Sequence, residues 1–439
     1  MKTNIATKSF LQTHEGAPAK RIDTEAQLRR SLMACMLWES EFYEDGESIA
    51  DRIASLVPQA EPQKVAAMAV EARKKMKLRH ASLWVVREMA RQPKHKVLVA
   101  DTLAQIIQRA DELAEFVALY WKDGKQPLSK QVKKGLAQAF TKFDAYQLAK
   151  YDRDGAVKLR DVLFLCHAKP KDAEQGAVWK QLVDDTLPVP DTWEVSLSAG
   201  KDKKETWERL LTENKLGGLA LLRNLRNMAE SKVDEGLIFS ALDKMKVERI
   251  LPFRFIAAAK YVPQWETYLE KAILKCLDSK EKLPGRTVLL VDVSGSMDSP
   301  ISKKSDLMWY DTANGLAILA RELCEQVAVY SFSNNVVRIP NRHGFALRDA
   351  IVNSQDHGGT WLGKAVQHIN GNETYDRLIV LTDEQSHDAI PNPAGKGYMI
   401  NVAAYKNGVG YGAWTHIDGW SEAALDYIFA CEGTGDDLQ

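Results

Sequence analysis

Residues 287–298, Thr-Val-Leu-Leu-Val-Asp-Val-Ser-Gly-Ser-Met-Asp, constrain this chain more than any other stretch. The apolar run Thr287–Leu290 reads as a buried strand. It enters a loop that carries a carboxylate and two hydroxyls at alternate positions. Asp292, Ser294 and Ser296 can turn three hard oxygens toward one point. Hard oxygens suit Mg²⁺, Mn²⁺ or Ca²⁺ better than zinc. The same residues also read as a polar turn after a strand, with Gly295 supplying the bend.

Two later segments favour the cation reading. Gly358-Gly359-Thr360 precedes an amphipathic stretch, Leu362–Ile369, and Arg377–Thr382 is a second buried strand that ends in Asp383. A cation site at the carboxyl edge of a parallel sheet draws its ligands from loops after different strands. Asp292, Ser294, Ser296, Thr360 and Asp383 fit that arrangement in chain order. In this spacing, residues 284 to about 432 resemble a von Willebrand factor A domain with its metal-ion-dependent adhesion site. The resemblance implies direct ligation by Ser294, Ser296 and Thr360, with Asp292 and Asp383 often acting through water. The divalent cation expected is Mg²⁺, with Mn²⁺ or Ca²⁺ as alternatives.

The surrounding pattern predicts the same α/β fold. A helix is expected over Leu307–Glu325, strands over Val327–Phe332 and Met399–Ala404, and a short edge strand over Val336–Pro340, where the proline suits an edge. A closing helix is expected over Ser421–Cys431, with Ser421 as N-cap. Strands alternating with helices predict a doubly wound parallel sheet.

A chain of 439 residues is too long for one core. No apolar run is long enough to span a bilayer, and Met1-Lys2-Thr3-Asn4 lacks the apolar core of a signal peptide. Cys35, Cys166, Cys276, Cys324 and Cys431 are scattered and odd in number, which predicts free thiols and a cytoplasmic setting. The formal net charge of zero hides an asymmetry. Residues 284–439 hold 11 Lys and Arg against 19 Asp and Glu, and the remainder holds 48 against 40. Residues 120–170 alone hold 11 against 5. Positive charge concentrated in this way can meet a polyanion.

Residues 20–280 show almost no strand signal. Apolar residues recur at helical spacing, as in Leu28, Leu32, Met36 and Leu103, Ile106, Ile107, Ala110. Breaks such as Gln92-Pro93, Asp123-Gly124 and Asp154-Gly155 punctuate them. This predicts an α-solenoid of paired helices without a shared consensus. In the basic window, Ser129 reads as the N-cap of a helix whose Lys130, Lys133 and Lys134 share one face. Lys150 and Arg153 follow, and then Lys158–Pro170, which closes with His167-Ala168-Lys169-Pro170. A lysine face also reads as ordinary solvated surface, and His167 also reads as a C-cap bonded to the last carbonyls of its helix.

The segment Arg160-Asp161-Val162-Leu163 through His167-Ala168-Lys169-Pro170 resembles the TROVE module of the Ro autoantigen and its bacterial relatives. Ala81–Glu88, Ala220–Met228 and Leu251–Phe255 resemble the same family, in the same order. The resemblance implies residues 1–283 as a ring of HEAT-like helical repeats, closed by the A domain of residues 284–439. It implies noncoding Y-like RNA on an outer basic rim and single-stranded 3′ ends of misfolded RNA in a central hole. By the same resemblance, His167 and Lys169 fall at the family's RNA-contacting helix end, and Lys150 matches a basic family position one helix earlier. Asp152-Arg153-Asp154 is more acidic than such a rim and counts against Y-RNA affinity.

No Walker loop or nucleophile elbow is present, and His387 beside Asp388 reads as exposed surface, so no catalysis is expected. The sequence therefore predicts a monomeric RNA-binding adaptor in RNA quality control or decay, with an exoribonuclease as a partner and no membrane. The rival class is a scaffold whose A domain grips a partner's carboxylate through the cation.

Overall fold

The computed structural model describes residues 20–21, 23–33, 46–152, 155–198, 202–247, 250, 253–277, 281–301, 307–403, 409–410, 412–418 and 423–433. Two compact units result: residues 24–37 with 47–210, and residues 1–23, 38–46 and 211–439.

The first unit is helical throughout its described residues. Helices Pro62–Lys74, Lys96–Ile106 and Lys130–Phe140 begin at residues 62, 96 and 130, a period of 34 residues. Each stacks on the next, and Lys130–Phe140 stacks in turn on Leu159–Cys166. The intervening helix His80–Arg91 packs on the first two of these and on Asp111–Tyr120. The repeat is therefore one of stacking, with paired helices in two layers.

Local sequence explains each helix. Val132, Leu136, Ala139 and Phe140 form the buried stripe of Lys130–Phe140. As expected, the Ser129 hydroxyl caps the helix by accepting from the Val132 N–H at 3.3 Å. Gly135 lets this helix approach its neighbour, because a Cβ there would lie 2.8 Å from the Ala100 carbonyl oxygen. Gly135→Leu is therefore expected to lower the urea midpoint, by an overpacking cost of about 1–3 kcal/mol. An unchanged midpoint would mean that the two backbones are not in close contact.

In the second unit, helices Gly218–Glu230, Glu235–Lys244, Phe253–Tyr261 and Glu266–Leu274 precede the sheet. The strands of this unit are β1 (Lys20–Arg21), β2 (Leu283–Asp292), β3 (Cys324–Phe332), β4 (Val336–Arg338), β5 (Arg377–Thr382), β6 (Lys396–Asn401), β7 (Val409–Gly410) and β8 (Thr415–Asp418). Six form one sheet in the order β4-β3-β2-β5-β6-β8, parallel except for the β4 edge. β1 and β7 pair separately as an antiparallel ribbon. Leu362–Asn372 covers one face of the sheet, where Leu362, Val366 and Ile369 meet Val288, Leu290, Leu378 and Val380. Trp309–Glu322 also packs on β2, β3 and β5. Every residue of β5 is buried, as expected of an inner parallel strand.

The structure adjusts several expectations. The helix expected over Leu307–Glu325 spans Trp309–Glu322, because Cys324 already pairs with Leu283 as the start of β3. Helix Gly344–Val352 and strand β8 had no clear sequence signal. Ser421 and Cys35 lie outside the described residues. Cys166, Cys324 and Cys431 are free thiols.

The helix-to-strand change falls at 283, yet packing draws the boundary at 210, not at 283/284. Polar ties account for this. Lys260 Nζ meets the buried Asp311 carboxylate at 2.6 Å, Arg348 meets Glu266 at 2.9 Å, and Glu270 accepts from the Phe345 N–H at 2.7 Å. These bonds join Phe253–Leu274 to the α/β layer. Among the described residues no helix is long and apolar enough to cross a membrane.

Candidate functional site

β2 and β5 lie side by side and parallel, so the loops after their carboxyl ends open at the same edge. The first loop carries Ser294 and Ser296, whose hydroxyls are 3.3 Å apart. It is tied to the Thr360 loop, since the Gly295 N–H donates to the Gly358 carbonyl at 2.8 Å. The Thr360 carbonyl in turn accepts from the His387 N–H at 2.9 Å, in the loop after β5. Asp292, Ser294, Ser296, Thr360 and Asp383 are thereby brought together, all buried.

The two carboxylates differ in their surroundings. Asp292 Oδ2 accepts from the Thr382 hydroxyl at 2.6 Å, and Oδ1 accepts from the Ser294 N–H at 2.8 Å. Burial nevertheless pushes its carboxyl above the usual range. Asp383 Oδ1 accepts from the Gln385 N–H at 3.0 Å, but Oδ2 is buried without a hydrogen-bond partner among the described residues. Burial, and then the neighbouring Asp292 charge, push the Asp383 carboxyl up to about 7. Two adjacent buried carboxylates, one with an unsatisfied oxygen, plus three hydroxyls, form a donor set that fits a hard divalent cation. Among the described residues no cluster of three His, Cys, Asp or Glu forms a metal site. The set here has two carboxylates, and its other donors are hydroxyls.

Sequence reasoning missed the support around these residues. Thr382 holds Asp292, and Asp388 accepts the Gly363 and Lys364 N–H groups at 2.8 and 2.7 Å, anchoring the helix after Thr360. His387, expected on the open surface, is half-buried, with its ring 5.3 Å from that of Trp361. The backbone bond to Thr360 pulls it in.

The second candidate site lies in the helical unit. Lys130, Lys134, His167 and Lys169 are exposed, while Lys133 and Lys150 are half-buried. Lys133 lies within electrostatic reach of the Cys166 thiol, which burial pushes up to about 11. That places Lys133 at the helix end that carries His167. His167 adopts a left-handed backbone (φ 53) and donates its N–H to the Phe164 carbonyl at 3.3 Å. The C-cap reading is thus correct for the backbone. The ring makes no hydrogen bond among the described residues.

Lys150 is one step further away, on Ala145–Tyr151, which packs on Ala173–Val183, as does Leu159–Cys166. Its Nζ lies 5.9 Å from the Tyr146 ring and 5.8 Å from the Tyr151 ring. Arg109 stacks on the other tyrosine, 4.6 Å from the Tyr151 centroid. Cations over partly exposed rings are a stacking surface as well as a charged one. Arg153 and Asp154 lie outside the described residues. Asp152 is half-buried, and burial raises its carboxyl above the usual range.

Residues 185–304 match the family model described as the TROVE domain. The match runs across the helix-to-strand junction and takes in Asp292, Ser294 and Ser296, while the basic window ending at Lys169 precedes it. Telomerase protein component 1 of Mus musculus is 33% identical over 89 residues, which are 19% of this chain and 3% of that relative. Among solved structures, the crystal structure of the Deinococcus radiodurans RO (RSR) protein superposes with a TM-score of 0.59 at 19% identity. It covers 94% of this chain and 100% of its own. The fold therefore resembles that structure along nearly the whole chain.

Proposed function

We propose that this chain is an RNA-binding protein of the TROVE type. The observation that carries the reading is the basic and aromatic surface of the helical unit: Lys133 beside the His167 helix end, with Lys150 over Tyr146 and Tyr151. Lysines neutralise phosphates, and rings and a free imidazole stack on bases or hydrogen-bond to them. The finer reading follows the family resemblance: structured Y-like RNA on this surface, single-stranded 3′ ends in a central hole, and a non-catalytic, cytoplasmic role in RNA quality control beside an exoribonuclease.

Affinity for RNA should fall steeply with salt, by roughly 0.7–0.9 log units per log unit of salt for each phosphate contacted. Exchanging Lys133 and Lys169 for alanine removes two such contacts and should reduce the slope by about 1.4–1.8. A gel-shift series from low to high salt reads this directly. A slope identical to wild type would take this surface out of RNA contact.

A second reading rests on the orphaned Asp383 oxygen. The α/β domain, as a von Willebrand A-like domain, would hold Mg²⁺ with Ser294, Ser296 and Thr360, with Asp292 and Asp383 supplying the charge. The cation would then present an open position to a partner's carboxylate. The two readings are compatible, since they use different units of the chain.

A further inference from the structure

A groove of about 340 Å³ opens in the helical unit, between the turn Thr141–Tyr146 and the start of helix Ala173–Val183. Its volume is at the small end of ligand sites, which run from about 300 to 1,000 Å³. A duplex could not enter; a single base could. One wall is the Tyr146 ring, 50% exposed, with Lys150 Nζ beside it. The other wall begins at Lys171, two residues beyond Lys169, and Pro170 packs over Gly176 to hold that descent in place.

The groove is built rigidly. Gln175 is buried and bridges the walls, donating to the Thr141 carbonyl at 2.9 Å and accepting from the Lys171 N–H at 3.1 Å. Lys142 is committed to the Ile107 carbonyl at 2.9 Å, so it is no free cation. The lining carboxylates are Asp144, Asp172 and Glu174. The first two each spend one oxygen on a helix cap, and Glu174 makes no hydrogen bond or ion pair among the described residues.

We propose that this groove takes one unpaired nucleobase of the bound RNA, stacked on Tyr146, with flanking phosphates held at the rim by Lys150 and Lys171. The inference rests on the RNA-binding reading and adds a base preference to it. Carboxylates repel a phosphate but accept hydrogen bonds from exocyclic amines. Adenine or cytosine therefore fits the lining better than uracil, which has no such amine. Base–aromatic stacking is sequence-tolerant by itself, so discrimination falls to Glu174 and its two acidic neighbours. Tyr146 keeps its proton in this setting, since burial and nearby carboxylates raise it.

The test uses the full chain and hairpin RNAs that differ at one unpaired position: 2-aminopurine, adenine, uracil or an abasic site. Wild type should quench 2-aminopurine emission and should bind the adenine hairpin about tenfold more tightly than the abasic one. Tyr146→Leu should erase both effects without changing the salt slope, Tyr146→Phe should keep both, and Glu174→Gln should narrow the gap between adenine and uracil. Equal affinity of wild type for the adenine and abasic hairpins, with salt-sensitive binding intact, overturns the groove assignment alone and points instead to a basic peptide as its occupant. Failure to retain any of the hairpins overturns the RNA-binding reading, and the groove assignment with it.

Discussion

Glu112→Ala should destabilise the helical unit by about 3–5 kcal/mol, the usual consequence of stripping one partner from a buried ion pair. Arg73 and Glu112 are 39 residues apart in sequence, and their side chains meet at 2.5 Å with 9% and 0% of their surfaces exposed. Glu112 Oε2 also accepts the Gln108 and Arg109 N–H groups at 2.7 and 3.2 Å. The alanine variant thus leaves a guanidinium uncompensated and frees two amides at a helix start. Glu112→Gln keeps the hydrogen-bonding shape and removes only the charge, so it should lose less. Replacing both Arg73 and Glu112 by leucine should recover much of the loss, because two apolar side chains of similar size need no partner. Urea unfolding followed by fluorescence measures all three. A loss under about 1 kcal/mol in Glu112→Ala would show that Arg73 reaches water, contrary to its burial.

Mg²⁺ should stabilise the chain against unfolding by about 2.7 kcal/mol at a hundredfold excess over its dissociation constant, and EDTA should remove the gain. Asp383→Asn should abolish this response. It should do so without destabilising the metal-free protein, since it removes one of two adjacent buried charges and leaves Asp292 paired with Thr382 and Ser294. Asp292→Ala should abolish the response too, but at a cost in metal-free stability, because Thr382 and the Ser294 N–H lose their acceptor. Thermal melts with Mg²⁺ and with EDTA separate these outcomes. A Mg²⁺ shift that survives Asp383→Asn would refute the five-residue assignment.

These two predictions differ in how far the sequence alone could reach. The meeting of Asp292, Ser294, Ser296, Thr360 and Asp383 at one sheet edge was legible because each residue is local to a strand end or its loop. β2 and β5 are inner strands of a parallel sheet, so both of their faces are covered and they read as unbroken apolar runs. Asp292 and Asp383 then mark where each run meets its loop. The Ser129 cap and the edge strand Val336–Arg338 were legible for the same reason, since a cap and a proline act within a few residues. The Arg73–Glu112 pair gave no such signal. A lone arginine and a lone glutamate look like solvated charges until the helices stack.

The helical period was hidden as well. Starts at 62, 96 and 130 share no consensus, because stacking asks only for a buried stripe and, at Gly135, for the absence of a side chain. The unit boundary was likewise out of reach. Composition changes at 283, where helices give way to strands, but Lys260, Glu266 and Glu270 carry the packing across that point through partners 51, 82 and 75 residues away. The sequence by itself determined which residues are buried along each strand and helix, and which oxygens and lysines wait at their ends. Only the tertiary structure decided which of those ends meet. That depends on contacts between residues far apart in the chain, where burial and Coulomb repulsion first act on Asp383 and where Tyr146 and Lys171 first face one groove.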